Sequence, residues 1–145
     1  MPDKRLLLDA DGCPVVNPAV HIARACGVEC IILCDSAHVF DKEGARTVVC
    51  EKGADSVDFA LVNLMRPGDV VVTQDYGLAA MCLARGAVVL NQDGRAYTEE
   101  NIGGLLMARH EARKARRAGG RMRGPKKREQ AQDAQFARAL YDILK

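Results

Sequence analysis

A chain of 145 residues is long enough for one domain with a full core, and 48% apolar residues is ordinary for a globular protein. It holds no apolar run of about 18 residues, so it offers no helical membrane span, and with 4% aromatics and no Trp it offers no evident stacking platform for nucleic-acid bases. The net charge of +2 conceals a split: residues 109–128 carry ten Lys and Arg against one acid, Glu111, about +9, while the remainder holds 11 basic and 18 acidic residues, about −7. That division implies an acidic centre with a basic arm, and the natural partner of such an arm is an anionic polymer.

The chain opens on Lys4-Arg5-Leu6-Leu7-Leu8-Asp9-Ala10-Asp11. A continuous apolar run of this kind predicts a strand buried on both faces, as in a parallel sheet, and such sheets bind ligands just beyond the carboxyl ends of their strands. Asp9 and Asp11 fall where the strand should stop. Gly12-Cys13-Pro14 reads as a turn, and Asn17-Pro18 as a helix start with Asn17 as the cap. Gly27 closes that helix, and Val28 to Cys34 is a second buried strand ending at Asp35. Strand, helix, strand implies a right-handed crossover and parallel pairing.

A polar connection from Asp35 to Gly44 contains Ser36 and His38, and Arg46 to Cys50 reads as a third strand. Ala54 to Met65 is a clear helix that begins with Asp55 and Asp58, three apart and so on one face. Asp69 to Thr73 is the next strand, stopping at Gln74-Asp75. A helix from Tyr76 to Arg85 follows, then a last short strand from Ala87 to Leu90 and a turn at Asn91-Gln92-Asp93-Gly94. Thr98 caps a longer helix running to about Ala118, with Glu99 and Glu100 where the helix dipole favours negative charge. Gly119-Gly120 ends it. A basic stretch from Arg121 to Arg128 leads into a final amphipathic helix with Phe136, Leu140, Ile143 and Leu144 on one face.

None of the six cysteines forms a C-x-x-C pair, and they read as buried thiols rather than metal ligands or disulfides. The opening residues lack the apolar region and cleavage site of a signal peptide, which points to the cytoplasm.

The acids form the constellation that chemistry could use. In a doubly wound sheet of order 3-2-1-4-5, the first and fourth strands are neighbours at the switch point, so Asp9, Asp11 and Asp75 share one crevice. Carboxylates about 5 Å apart repel by about 3 kcal/mol per pair at an effective dielectric near 20. A proton or a cation must offset that, and an all-oxygen acidic site suits Mg²⁺ or Mn²⁺, which activate water and stabilise the leaving oxygen in phosphodiester cleavage. Taken singly, each acid reads more readily as a turn or capping residue; their joint placement at two strand ends and a helix start favours a metal site. Thr73 and Ser36 could orient water or carboxylates or serve as caps, and His38 could contact substrate or be incidental.

These residues also carry a resemblance. Asp9-Ala10-Asp11-Gly12-Cys13-Pro14-Val15, Gly53-Ala54-Asp55-Ser56-Val57-Asp58, Pro67 to Ala79, Tyr97-Thr98-Glu99-Glu100-Asn101-Ile102 and Gly119-Gly120-Arg121…Lys126 look like the YaiI/YqxD family of bacterial proteins. Position 12 is Gly where many members would have Ala, a departure that leaves the acids in place. The resemblance spans nearly the whole chain and implies a three-layer α/β fold of PIN-like type, with a central mainly parallel sheet in order 3-2-1-4-5 and C-terminal helices. Residues 1–118 would form the α/β domain, and residues 119–145, the arm and last helix, would belong to the same domain. By likeness to PIN-like nucleases, Asp9, Asp55 or Asp58, and Asp75 after Thr73 correspond to the acidic site, with Asp11 as an extra ligand. Fold analogy alone does not establish function.

The reading that follows is a metal-dependent nuclease or phosphodiesterase acting on RNA. Asp9, Asp11, Asp58 and Asp75 hold Mg²⁺ or Mn²⁺ with support from Asp55. Arg113, Lys114, Arg116, Arg117, Arg121, Arg123, Lys126, Lys127 and Arg128 neutralise phosphates. The arm could instead be a solvated face, or fold onto the acidic pocket or onto a neighbouring subunit of a homo-oligomer. Two rivals stand beside this reading. One is a non-catalytic RNA- or ribosome-associated binding protein. The other is a phosphatase of the haloacid-dehalogenase type, for which Asp9-x-Asp11 is suggestive but Cys13 stands where Thr or Ser is usual.

Overall fold

The computed structural model describes residues 4–36, 39, 41–51, 56–117 and 127–145. Its elements in order are β1 (Arg5–Asp9), α1 (Val16–Ala25), β2 (Glu29–Asp35), β3 (Arg46–Cys50), α2 (Ser56–Leu64), β4 (Val70–Val72), α3 (Tyr76–Ala84), β5 (Val88–Leu90), β6 (Ala96–Tyr97), α4 (Glu99–Arg117) and α5 (Gln130–Leu144). They build one sheet in the order β3-β2-β1-β4-β5-β6. The first five strands pair in parallel, and β6 runs antiparallel to β5. The expected order 3-2-1-4-5 is therefore present, extended at one edge by a strand that sequence patterning did not reveal. β6 is two residues long, too short for any alternation to show, and it returns through the turn in which Asn91 N–H donates to Arg95 O.

Alternation along the strands divides the core into two layers. Leu6, Leu8, Cys30, Ile32, Cys34, Val70 and Val72 meet α1 and the α5 residues Phe136, Leu140 and Leu144. Leu7, Ile31, Leu33, Val71 and Val89 meet Val57 and Leu61 of α2, Leu78, Ala79 and Cys82 of α3, and Ile102 and Leu105 of α4. The result is a three-layer α/β/α arrangement. Burial removes Cys30 and Cys82 from thiolate chemistry, pushing both thiols up to about 12.

Local signals act as expected at most helix ends. Val28 N–H donates to Ala23 O and Gly27 N–H to Arg24 O, with Gly27 at φ 68°, a complete glycine stop for α1. Thr98 and Asn101 cap each other reciprocally at the start of α4. The start of α1 is a correction: the cap position is Val15, and Asn17 lies inside the first turn without capping it. Val15 and Val16 are buried, which draws the helix start two residues earlier. Pro18 is tolerated there because the first-turn N–H groups have no intrahelical partner.

At the N-terminal edge of the sheet, β1 and β4 are pinned by a buried ion pair. Arg5 donates to Asp69 Oδ2 at 2.7 Å and to Leu64 O at 2.9 Å, and Asp69 Oδ2 also accepts from Arg66 N–H at 2.8 Å. The opposite edge of the same two strands is where the acids lie.

Candidate functional site

Asp9 and Thr73 extend the β1–β4 pairing one residue past its last rung, Leu8↔Val72. Period-two alternation puts Asp9 on the face of Leu7 and Thr73 on the face of Val71, so both point into the α2–α3–α4 layer. Thr73 Oγ1 donates to Asp9 Oδ2 at 2.7 Å and accepts from Asp75 N–H at 3.0 Å. One buried hydroxyl thus ties the ends of the two strands together.

Burial raises the Asp9 carboxyl to about 6; the Thr73 hydrogen bond opposes this, and the carboxylates of Asp58, Asp11 and Asp75 add to the rise in that order. Sequence reasoning expected Asp9, Asp11, Asp58 and Asp75 to converge, and the other three all act on Asp9 here. Asp58 projects from the first turn of α2, next to Val57, which anchors the helix in the core. Asp11 sits in the turn after β1, and its Oδ1 is buried with no hydrogen-bond partner. Gly12 follows at φ 69°, a conformation that suits glycine and disfavours residues with a Cβ. Gln74 Nε2 holds this turn by donating to Gly12 O at 2.8 Å.

Asp75 has a structural duty as well. It is the N-cap of α3, its Oδ1 accepting from Leu78 N–H at 3.1 Å, and the same oxygen lies 3.7 Å from the Arg109 guanidinium of α4. Among the described residues no group of three or more His, Cys, Asp or Glu is spaced to enclose a metal ion. The donor set is nevertheless all oxygen, and Asp11 Oδ1 is a buried acceptor still lacking a partner, which fits a hard cation held by one or two carboxylates and water.

Asp55 and His38 lie outside the described residues, as do Arg121, Arg123 and Lys126 of the arm. Ser36 is exposed just past β2. Arg113, Lys114 and Arg117 are exposed on α4, which also carries Arg116, and Lys127 is exposed ahead of α5. Arg128 departs from the expectation of a phosphate contact. Its guanidinium donates to Asp133 Oδ1 at 2.6 Å, Asp93 Oδ1 at 2.8 Å and Gln92 O at 2.7 Å, so it clamps the start of α5 to the β5–β6 turn.

Two site neighbours escaped sequence reasoning. Tyr97, on the missed strand β6, donates from its hydroxyl to Thr73 O at 3.2 Å and meets Tyr76 edge-on at 5.9 Å between ring centroids. Burial, reinforced by Tyr76 and Asp75, pushes Tyr97 up to about 12, so it stays a donor. Arg109 is the other; its helical spacing was visible, but not its place beside Asp75.

Comparison with known proteins gives the chain its relatives. It is 50% identical over 140 residues to a UPF0178 protein of Exiguobacterium sibiricum, covering 97% of this chain and 96% of that one. Against a UPF0178 protein of Clostridium acetobutylicum it is 44% identical over 142 residues, with 97% and 96% covered. Against one from Enterococcus faecalis it is 38% identical over 144 residues, with 97% of each covered. No solved structure matches the chain. The profile described as "Uncharacterized BCR, YaiI/YqxD family" matches residues 7–145, and the chain belongs to that family.

Proposed function

We propose that the protein is a Mg²⁺- or Mn²⁺-dependent nuclease or related phosphodiesterase that acts on RNA. The observation that carries this reading is Asp9: a carboxyl raised to about 6 by burial and by three neighbouring acids, beside Asp11 with its unpartnered buried oxygen. A fold that gathers Asp9, Asp11, Asp58 and Asp75 at a sheet switch point bears a repulsion that binding a cation would relieve.

Asp9 and Asp11 would be the principal ligands, with Asp58 and Asp75 in support and Asp55 as a further candidate. When bound, the ion would supply water activation and neutralisation of charge on a phosphate. Thr73 fixes the Asp9 carboxylate by its hydrogen bond, and Tyr97 fixes Thr73 through the backbone carbonyl. Asp75 keeps α3 in register as its cap, so the helix and the site are positioned by one side chain.

The test is cleavage of single-stranded RNA in Mn²⁺ by the wild type, Asp9→Asn and Asp75→Asn. Asn can still cap α3, so the second variant should fold. Loss of cleavage in both, with unchanged circular dichroism, is expected; undiminished cleavage would sink the assignment.

A non-catalytic RNA-binding role is the second reading, favoured by the absence of a closed three-ligand group among the described residues. It predicts salt-sensitive RNA binding in the Asp variants and no cleavage by any form. The phosphatase reading has less to rest on, since among the described residues the charged groups that weigh on Asp9 are all carboxylates, and position 13 is Cys.

A further inference from the structure

The protein-facing seam of α4 changes chemistry along its length. Ile102 and Leu105 pack into the core beside α3. One turn onward the seam reaches the half-buried Arg109, and the exposed Arg113 and Arg117 follow it, each four residues apart from the last. Helix geometry places these three cations on one ridge of residues four apart, which winds from the core side of the helix toward solvent with neighbours about 6 Å apart. The helix dipole accounts for cations in a final turn, but Arg109 lies two turns before the end of the helix.

The first cation of the row is also the one beside the acids. Arg109 approaches Asp75 Oδ1 at 3.7 Å, longer than a hydrogen bond, with both side chains more than a third exposed. Arg5 and Arg128, by contrast, hold their carboxylates at 2.6 to 2.8 Å. A loose, solvated pair of this kind contributes little to stability and exchanges partners readily. An acidic centre repels a phosphodiester, so a substrate strand needs cations that begin at the acids and continue outward. This ridge supplies them in one row, at a spacing close to that of successive phosphates on an extended strand.

We propose that Arg109, Arg113 and Arg117 form a phosphate rail that leads single-stranded nucleic acid to the Asp9–Asp75 centre, with Arg109 passing from Asp75 to the phosphate nearest the acids. The proposal deepens the nuclease reading and rests on it for the meaning of the acids, while its binding prediction stands without cleavage. Arg109 is a phosphate-binding residue with two states. In the free protein it shields Asp75; with a strand bound it neutralises phosphate and leaves Asp75 to a cation. Removing it should therefore weaken RNA binding and strengthen metal binding, opposite signs that a purely structural residue would not give.

The experiment follows a labelled oligouridylate by fluorescence anisotropy in EDTA, over a range of salt, with calorimetric Mn²⁺ titration in parallel. Arg109→Gln and Arg113→Gln should each weaken RNA binding several-fold and reduce the salt slope by about 0.7. Arg109→Lys should restore most of the affinity. Arg138→Gln, on the exposed surface of α5, should leave it unchanged. Arg109→Gln should bind Mn²⁺ more tightly, by up to about fivefold, and Arg113→Gln should not. Wild-type protein that ignores the oligonucleotide at low salt, or an Arg109→Gln variant with wild-type affinity and slope, would overturn the rail. Rail-dependent binding with no cleavage by any form would uphold the rail and remove the nuclease reading.

Discussion

The Thr73 hydroxyl donates to Asp9 Oδ2 at 2.7 Å across the junction of β4 and β1, and in the same position accepts from the Asp75 backbone N–H at 3.0 Å. The bond favours the charged form of a carboxylate that burial and three other acids drive toward its neutral form. Thr73→Val keeps the shape and removes the donor. It should move the Asp9 titration above about 6 and cost about 1.5–3 kcal/mol at pH 8, where Asp9 is ionised. At pH 4.5 the cost should be smaller, because a protonated Asp9 depends less on that donor. Carboxyl chemical shifts and urea unfolding measure the two effects.

Asp9 itself should destabilise the metal-free fold at neutral pH. Its folded value of about 6 exceeds the ordinary 3.8, so between those values the folded state holds a proton that the unfolded state has released. Stability then falls as pH rises through that window, and the full penalty applies above it. Asp9→Asn should accordingly raise stability in EDTA by about 1–3 kcal/mol at pH 8, with the gain gone near pH 4. Thermal unfolding across that range is the check, and a gain independent of pH would show that the charge of Asp9 is not its origin.

What could be read from sequence followed strong, local signals. The buried strand runs indicated a parallel sheet, and the doubly wound order taken for it set which carboxyl ends meet, so Asp9, Thr73 and Asp75 were accessible from alternation and topology together. Tyr97 was not, because β6 is a two-residue pairing created by the turn before it rather than by its own pattern. Arg128 looked like one more cation in a basic run, and only the proximity of Asp93 and Asp133 turns it into a clamp. Asn17 had the chemistry of a cap, but burial of Val15 and Val16 set the helix start. For Arg128 and Asn17 a tertiary contact outweighed a local preference.

The Arg5–Asp69 pair offers a stability probe remote from the acids. Asp69 is 2% exposed and serves both Arg5 and the Arg66 N–H. Asp69→Ala leaves a buried guanidinium without its carboxylate and should cost about 3–5 kcal/mol. Because the pair joins the N-terminal ends of β1 and β4 and the acids lie at their carboxyl ends, Mn²⁺ affinity measured below the unfolding transition should not change. A large affinity change would mean that the two ends of the sheet are coupled.

Adding metal should reverse the sign of the Asp9 effect. If the acids share a cation, Mn²⁺ at about 100 times its Kd stabilises the wild type by about 2.7 kcal/mol. It offsets the same repulsion that Asp9→Asn relieves, so the variant, stabilised in EDTA, should gain little from the ion. Asp11→Asn should behave in the same direction, since it removes the charge attached to the one described buried side-chain oxygen that lacks a partner. The curves of unfolding temperature against Mn²⁺ should therefore cross: variants above wild type without metal, wild type above the variants with it. Parallel curves would mean that the acids repel one another without sharing an ion, and the RNA-binding reading would then account for the basic helix on its own.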